Sequence, residues 1–175
     1  MKSTKIHEIE KFIPDAYHGA KAEYARNICE NGFVIKSVGD DLFLGDGVYF
    51  YESSQSHAQD WGRKKYKGEV IGVVKALVNL GRCLDFHNKE HIQLVKDVSD
   101  QLKTRKPAAH ITDAVTINFI AANFPRIDSV RATYFSDHVK SKVFKGSRFY
   151  EYNRLIVCVR NLKNIIKTTL SYEGR

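Results

Sequence analysis

The residues best placed for chemistry lie in one short stretch, the Leu-Gly-Asp-Gly-Val-Tyr-Phe run at residues 44–50, which a helix-like segment ending at Trp61 follows. Two glycines around an aspartate predict a tight turn, because glycine tolerates positive φ and aspartate readily bonds its own backbone. The β-branched and aromatic residues after the turn favour a half-buried strand. Turn, strand and helix in so little chain bring Tyr49 and Trp61 within reach of one cleft. The same pattern also fits two aromatic residues of an ordinary core.

Other arrangements of reactive side chains are weaker. His87 and His91 flank Glu90 at helical i, i+4 spacing. The order differs from the His-Glu-x-x-His zinc motif and no third ligand is evident, so we predict no metal ion. The sequence also contains neither a GxxxxGK(S/T) phosphate-binding loop nor a GxSxG nucleophile turn.

Length and composition indicate one globular domain over residues 1–175, with 43% hydrophobic and 27% charged residues. No apolar run is long enough to span a bilayer, and residues 1–5 lead into no apolar signal core. We therefore expect a cytoplasmic protein without a membrane partner. The cysteines are far apart and odd in number, which predicts neither a disulfide framework nor a CxxC metal site. They are Cys29, Cys83 and Cys158.

Positive charge is concentrated toward the C-terminus. The formal net charge is +8, and from Arg131 to the end of the chain ten basic residues stand against three acidic ones. Such a region favours nucleic acid, a phosphorylated cofactor or an acidic partner, although many basic proteins show a merely solvated face. Aromatic residues interleave with the charges and could stack on bases or belong to core strands. They are Tyr134, Phe135, Phe144, Phe149, Tyr150 and Tyr152.

The elements that must position these side chains follow from periodicity and turn residues. Apolar spacing predicts strands at residues 12–19, 48–51, 69–80, 129–135, 148–159 and 164–170, and helices at 20–30, after the serines at 53–56, from 91 to 102 and at 113–123. Pro14 suits a sheet edge or a strand start, and Gly81 should end the long strand. The irregular order, with a helical insert before the last strands, favours an α+β fold with mostly antiparallel sheets over a doubly wound fold.

Several of these motifs, in this order, resemble the poly-ADP-ribose-polymerase class of ADP-ribosyltransferases. Tyr17-His18-Gly19-Ala20 resembles the His-Gly strand of that class, residues 44–50 its Gly-x-Gly-(Ile/Val)-Tyr-Phe turn and strand, and Ser54-Gln55-Ser56 its Ser-x-Ser helix start. The likeness covers residues 17–61, and the rest of the chain is similar only in its strand pattern. The resemblance implies a split antiparallel β-sandwich that holds NAD⁺ in the cleft between its sheets.

The resemblance also implies a role for each matched residue. His18 would hydrogen-bond the nicotinamide ribose hydroxyl, and the backbone of Gly19 would pair with the carboxamide. Tyr49 would stack on the nicotinamide ring, Ser56 would hydrogen-bond the carboxamide oxygen, and Trp61, after a one-residue shift, would be the second stacking aromatic. Such contacts hold the ribose, grip the leaving nicotinamide and align an acceptor while an oxocarbenium-like sugar develops. Each residue could instead serve only a strand end, a core or a solvated helix.

The third catalytic position departs from the family pattern. Family members carry a glutamate at the head of a late strand, just before an apolar run, and Arg154 stands at that place in this chain. Glu151 lies three residues earlier, on the opposite face of the strand unless a bulge reorients it. Either Glu151 or Arg154 could fill the position. The Arg154 guanidinium suits a phosphate of NAD⁺ or of nucleic acid, or it could face solvent.

We therefore predict an NAD⁺-consuming mono-ADP-ribosyltransferase, with RNA or DNA as the favoured acceptor because of the basic C-terminal quarter. The small size resembles bacterial toxin and phage-defence transferases, which would imply a neutralising antitoxin as partner. Two alternatives stay open. One is an NAD glycohydrolase, in which water replaces the acceptor, and the other is a catalytically inactive module that binds nucleic acid or ADP-ribose in the same cleft.

Overall fold

The computed structural model describes residue 6 and residues 8–39, 42–105, 110–124, 126–135, 145 and 153–175. In the described part of the chain, no helix is both long and apolar enough to cross a bilayer. A 3₁₀ turn (Leu162–Asn164) precedes the last strand. The main elements are β1 (Glu8–Lys21), α1 (Ala22–Asn31), β2 (Val48–Glu52), α2 (Gln55–Lys65), β3 (Ile71–Asp85), α3 (Lys89–Arg105), α4 (Asp113–Asn123), β4 (Ser129–Phe135), β5 (Asn153–Val159) and β6 (Ile165–Gly174).

The strands close into a ring. β1, β2, β5, β4 and β3 are hydrogen-bonded in that order, β3 also pairs with β1, and β6 adds to β3. These pairings are antiparallel except for the short parallel contact between β3 and β4. The α+β prediction is confirmed, because helices and a largely antiparallel sheet share one chain without regular βαβ alternation.

Two apolar cores use alternate residues of the same strands. Along β5, Val157 and Val159 pack with residues of β1, β2 and β3 in one core. Ile156 and Cys158 belong to the other core, which includes residues of α3 and α4. This alternation follows from the two-residue period of a strand. The predicted helical insert, α3 and α4, therefore covers one face of the sheet.

β3 extends beyond the predicted end of the strand at residues 69–80. It runs without a break through Gly81, whose φ is +56°. A Cβ atom at this position would lie 2.6 Å from Asn164 Nδ2 and 2.7 Å from Asp128 Oδ2. The prediction that Gly81 ends the strand is wrong. The glycine instead bends β3 between its pairing with β6 and its pairing with β4.

Pro14 also differs from its predicted place at a sheet edge or strand start. It lies inside β1, where the pairing register with β3 shifts between Ile13 and Ala16. A residue at such an irregularity has no ladder hydrogen bond to lose, so the missing N–H of proline is tolerated. β1 thus passes through Pro14 without interruption. It ends at Lys21, two residues after the predicted end at Gly19.

Candidate functional site

A cavity of about 410 Å³ opens where β1 and β2 separate. The pairing of these strands ends at Tyr17 and Tyr51. Beyond this pair the His18 side chain bridges the gap, because its Nδ1 donates to the backbone carbonyl oxygen of Tyr49 at 2.8 Å. The imidazole thus occupies a carbonyl oxygen of β2 that β1 no longer pairs with once the two strands diverge. The ring forms part of the cavity wall.

The structure brings together most of the residues that the sequence assigned to a site. His18, Gly19, Tyr49, Trp61 and Arg154 all line this cavity. They come from β1, β2, α2 and β5, so the cavity lies between elements that are distant in the chain. The remaining lining residues are Ser37, Leu42, Phe43, Tyr51, Lys65, Tyr134 and Ile156.

Two predicted site residues are placed differently. Ser56 is exposed in the first turn of α2, outside the cavity lining, with its hydroxyl 3.2 Å from that of Ser54. Ser54 is the N-cap of α2, and its Oγ accepts from the backbone N–H of His57 at 3.3 Å. The helix start expected at these serines is therefore confirmed, whereas a contact of Ser56 with a ligand stays a prediction. Glu151 lies outside the described residues.

His18 is held as a neutral hydrogen-bond acceptor. Because a carbonyl oxygen can only accept, Nδ1 carries the proton and Nε2 of the neutral ring carries a lone pair. Burial lowers the pKa of His18, and the positive charge of Lys65 acts in the same direction. The ring packs edge-on against Phe33 and Phe50, with centroid distances of 5.2 and 5.9 Å. A half-buried imidazole of this kind can accept a ligand hydroxyl without adding positive charge to the site.

Tyr49 is fixed by its own turn. Its hydroxyl donates to the carbonyl oxygen of Gly45 at 2.7 Å and accepts from the N–H of Leu44 at 2.9 Å. Burial raises the pKa of the Tyr49 hydroxyl, so it stays protonated. Gly45 has a φ of +73°, and a Cβ atom there would lie 2.5 Å from Asn118 Oδ1. The predicted glycine turn thus holds the aromatic ring at the cavity wall.

Gly19 allows α2 to approach β1 directly. A Cβ atom on Gly19 would lie 2.1 Å from the backbone carbonyl oxygen of Ala58. This close contact positions the next turn of α2, which carries Trp61. The Trp61 ring consequently lies 6.4 Å from the His18 ring, measured between centroids.

A second cavity of about 200 Å³ adjoins the first. The two cavities share His18, Ser37, Trp61 and Lys65, so they form one continuous cleft. The lining of the second cavity includes three further aromatic residues and one further cation. These are Tyr24, Phe33, Tyr66 and Lys36.

Cations stand over the aromatic rings of this cleft. Lys65 Nζ lies 4.6 Å from the ring centroid of Trp61, and Lys36 Nζ lies 5.4 Å from that of Tyr24. With Arg154, they are cationic residues in the lining, and the lining contains no carboxylate among the described residues. The cleft therefore suits an anionic ligand with flat rings.

Sequence reasoning missed several residues of the cleft. Lys65 had a usable signal, since it lies four residues after Trp61 and so shares its helix face. Lys36 and Ser37 had none, because they lie in the irregular segment between α1 and β2, where no periodicity applies.

A separate polar cluster joins β2, β3 and β4. Arg131 donates to both carboxylate oxygens of Glu52, at 2.7 and 3.1 Å, and to Asp85 at 3.2 Å. His87 Nδ1 lies 2.6 Å from the Asp85 carboxylate, and its Nε2 lies 2.8 Å from the Thr133 hydroxyl. His87 is thus fully engaged in this network. In the described part of the chain, no group of three or more His, Cys, Asp and Glu residues could hold a metal ion.

Several basic side chains of the C-terminal quarter have partners within the protein or line the cavity, so they do not contribute to an open basic surface. Arg131 is occupied by carboxylates, Arg154 lines the cavity, and Arg160 Nη1 donates to Asn118 Oδ1 at 2.9 Å. Of the interleaved aromatic residues, Tyr134 lines the cavity and packs against Phe43 at 4.9 Å between centroids. Phe144, Phe149, Tyr150 and Tyr152 lie outside the described residues.

Comparison with known proteins supplies a relative and no function. No model of a known protein family matches the chain. The chain is 27% identical over 186 residues to the uncharacterized protein MJ0359 of Methanocaldococcus jannaschii, a match that covers 90% of this chain and 86% of the relative. The two chains are therefore similar over most of their length, and the site is interpreted from its geometry.

Proposed function

We propose that the chain has an ADP-ribosyltransferase fold and transfers one ADP-ribose unit from NAD⁺ to a nucleic acid. The observation that carries this proposal is the pair of joined cavities, with His18, Ser37, Trp61 and Lys65 at their junction. A dinucleotide has the matching form, because two nucleosides are joined by one pyrophosphate. Aromatic walls with a cation between them suit stacked rings and a bridging diphosphate.

The larger cavity takes the nicotinamide nucleoside. Tyr49 and Trp61 offer aromatic surfaces for the nicotinamide ring, and Gly19 exposes backbone beside them without a side chain of its own. His18 Nε2 accepts from a ribose hydroxyl, since Nδ1 is already committed to the Tyr49 carbonyl. The smaller cavity, with further aromatic residues, takes the adenosine half, and Lys65 contacts the pyrophosphate.

Transfer replaces one bond to the ribose by another. The bond between ribose C1′ and the nicotinamide nitrogen breaks, and nicotinamide leaves as a neutral molecule with the bonding electrons. An acceptor oxygen forms the new bond to C1′ and gives up its proton. Positive charge develops on the ribose meanwhile, so a neutral His18 is favourable because a charged imidazole would repel it. Of the two residues that could fill the third catalytic position, Glu151 is the one whose carboxylate can act as a base toward the acceptor.

Incubation with NAD⁺ labelled in its adenylate phosphate tests this proposal. RNA, DNA and protein pools are then separated, and released nicotinamide is quantified. We expect label in a nucleic-acid pool and a loss of at least about a hundredfold in rate for His18→Ala, because positioning of the reacting groups supplies much of the acceleration. His110→Ala is the matched control, since His110 is exposed and lines neither cavity.

Three outcomes decide between the functions. Label in nucleic acid that His18→Ala abolishes supports the transferase. Nicotinamide release without any labelled macromolecule would select the glycohydrolase alternative. Neither label nor nicotinamide from the folded wild-type protein would reject NAD⁺ turnover and leave a binding module.

A further inference from the structure

Arg154 presents a buried donor without a partner. Among the described residues, its Nε atom is shielded from solvent without a hydrogen-bond partner, and no other buried side-chain nitrogen or oxygen shares this condition. An unpaired buried donor is unfavourable, the more so when the group is charged. The free Nε therefore points to a ligand group that accepts hydrogen bonds.

The neighbours of the Arg154 guanidinium define its place in the larger cavity. Arg154 stands opposite Tyr134 in the pairing of β4 with β5. Burial raises the pKa of Tyr51, and the charge of Arg154 and its hydrogen bond to Tyr51 oppose that rise. Burial lowers the pKa of His57, and the positive charge of Arg154 adds to this effect. The guanidinium thus lies close enough to Tyr51 and His57 to affect both groups.

Lys65 occupies a different part of the cleft. It lines both cavities and its charge acts on His18, whereas Arg154 lines only the larger cavity. A dinucleotide that spans both cavities carries its pyrophosphate past the junction, where Lys65 lies. Arg154 is then left for a different phosphate.

We propose that Arg154 binds a backbone phosphate of the acceptor nucleic acid, beside the ribose that is transferred. The inference rests on the proposed function and names the class of its acceptor. A guanidinium presents a planar fork of donors that matches two phosphate oxygens, and Nε is one arm of that fork. The larger cavity also has two cations and, among the described lining residues, no carboxylate. It therefore favours an anionic acceptor over the basic side chains of a protein.

The test compares the two ligands on the full-length protein. Binding of a fluorescein-labelled single-stranded RNA is followed by anisotropy over a series of salt concentrations, and NAD⁺ binding by calorimetry. Arg154→Gln should weaken RNA binding about tenfold and reduce the slope of log K against log salt by about 0.7, with NAD⁺ affinity unchanged. Arg154→Lys should keep the salt slope and still lose affinity, since an ammonium retains the charge without the fork.

Arg105→Gln is the control, because Arg105 is an exposed arginine in α3 that lines neither cavity. Thermal denaturation checks that each variant folds, and Arg154→Lys supplies the result should the glutamine variant fail to do so. A fall in NAD⁺ affinity with unchanged RNA binding would overturn the proposal, and so would unchanged binding of both.

The result is separable from that of the transferase experiment. Loss of RNA binding in Arg154→Gln supports the phosphate site even where the wild-type protein releases no nicotinamide. Conversely, if the Arg154→Gln variant labels and binds RNA as well as the wild-type protein does, the phosphate site is rejected and the transferase proposal stands.

Discussion

Gly19 is constrained by packing as well as by its proposed role. Its Cα lies so close to α2 that an added Cβ would meet the carbonyl oxygen of Ala58 at 2.1 Å. Gly62, in the same helix, has room for a Cβ, which would lie 3.4 Å from the nearest atom of Ile71. The contact that carries Trp61 toward His18 therefore depends on one glycine and tolerates change at the other.

Gly19→Ala should lower the free energy of unfolding by roughly 3 kcal/mol, because α2 has to move away from β1. Gly62→Ala is the matched control within the same contact. It should be neutral or stabilising by up to about 1 kcal/mol, since alanine is the better helix former. Urea denaturation measures both, and equal stability of the two variants would contradict the close approach.

His18 should give folding stability a pH dependence. Its pKa in the folded protein is lowered from the ordinary 6.5, so around and below pH 6.5 the unfolded chain binds more protons at this position. Stability should consequently fall as the pH drops through 6.5, by at most about 1.4 kcal/mol per pH unit for one proton. Above pH 7 the contribution is constant.

Urea denaturation at several pH values between 5 and 8 tests this expectation. His18→Gln should show a shallower loss of stability on acidification than the wild-type protein. His110→Gln leaves the His18 imidazole in place and should follow the wild type. Parallel curves for the wild type and His18→Gln would exclude a depressed pKa at His18.

Some site residues could be predicted from the sequence because their types are tied to local structure. Two backbone groups of the glycine turn at 44–47 form hydrogen bonds with the Tyr49 hydroxyl and so fix this side chain. Ser54 caps the helix that carries Trp61. Lys36 and Ser37 could not be predicted, since their place in the cleft depends on the path of a segment without regular structure. Ser56 followed from motif spacing alone, and its exposed position depends on where α2 begins.

Among the elements, the Arg131 cluster is the main polar connection between strands. Arg131 in β4 joins Glu52 of β2 and Asp85 of β3, and the three side chains are 12%, 14% and 18% exposed. Hydrogen bonding to Glu52 raises the pKa of Arg131, and its other partners add to the effect. The cluster therefore fixes β2, whose Tyr49 and Tyr51 form part of the cavity wall.

Arg131→Met should destabilise the fold by about 2–3 kcal/mol, because it removes the cation that two shielded carboxylates share. Adding Glu52→Gln to this variant should restore part of the loss, since one of the unpaired charges is removed. Lys75→Met, which breaks the exposed ion pair with Asp15, is the control and should have little effect. Chemical denaturation gives the three values, and an equal loss from Arg131→Met and Lys75→Met would refute a special role for the cluster.

Helices and strands were predicted correctly where hydrophobic periodicity and the capping or turn residues indicate the same boundary. The helix at 113–123 and the strand at 129–135 have the predicted bounds, because a side-chain cap at Thr112 marks the helix and alternating apolar and polar residues mark the strand. The prediction that the long strand ends at Gly81 was wrong, because a residue with positive φ bends a strand as readily as it ends one. Closure of the ring through β1 and β3 could not be predicted, because it depends on pairings between distant parts of the chain.

The cleft as a whole links parts of the molecule that are far apart in sequence. Its walls come from β1, α1, β2, α2, β4 and β5. A ligand that spans both cavities therefore binds only the folded arrangement. Ligand binding and global stability are coupled for this reason.

NAD⁺ at about a hundred times its dissociation constant should stabilise the protein by about 2.7 kcal/mol, which corresponds to a rise in Tm of roughly 5–10 °C for a domain of this size. On the proposed function, Lys65→Ala should reduce this rise, because the pyrophosphate would lose its cation at the junction of the cavities. Lys64→Ala is the matched control, since Lys64 is the exposed neighbour that lines neither cavity. Differential scanning calorimetry measures the shift, and equal shifts for the two variants would argue against a diphosphate at Lys65.

The closed ring also determines where the backbone remains open to another chain. Among the described strands, β1 to β5 each have neighbours on both sides, whereas β6 pairs with β3 alone. No other described strand pairs with the second side of β6, and Ile166 and Leu170 on this strand are 53% and 41% exposed. Such an edge strand can template the addition of further strands, and a lysine such as Lys167 on it opposes this. We therefore expect any strand-wise aggregation to begin at β6, a strand that lines neither cavity.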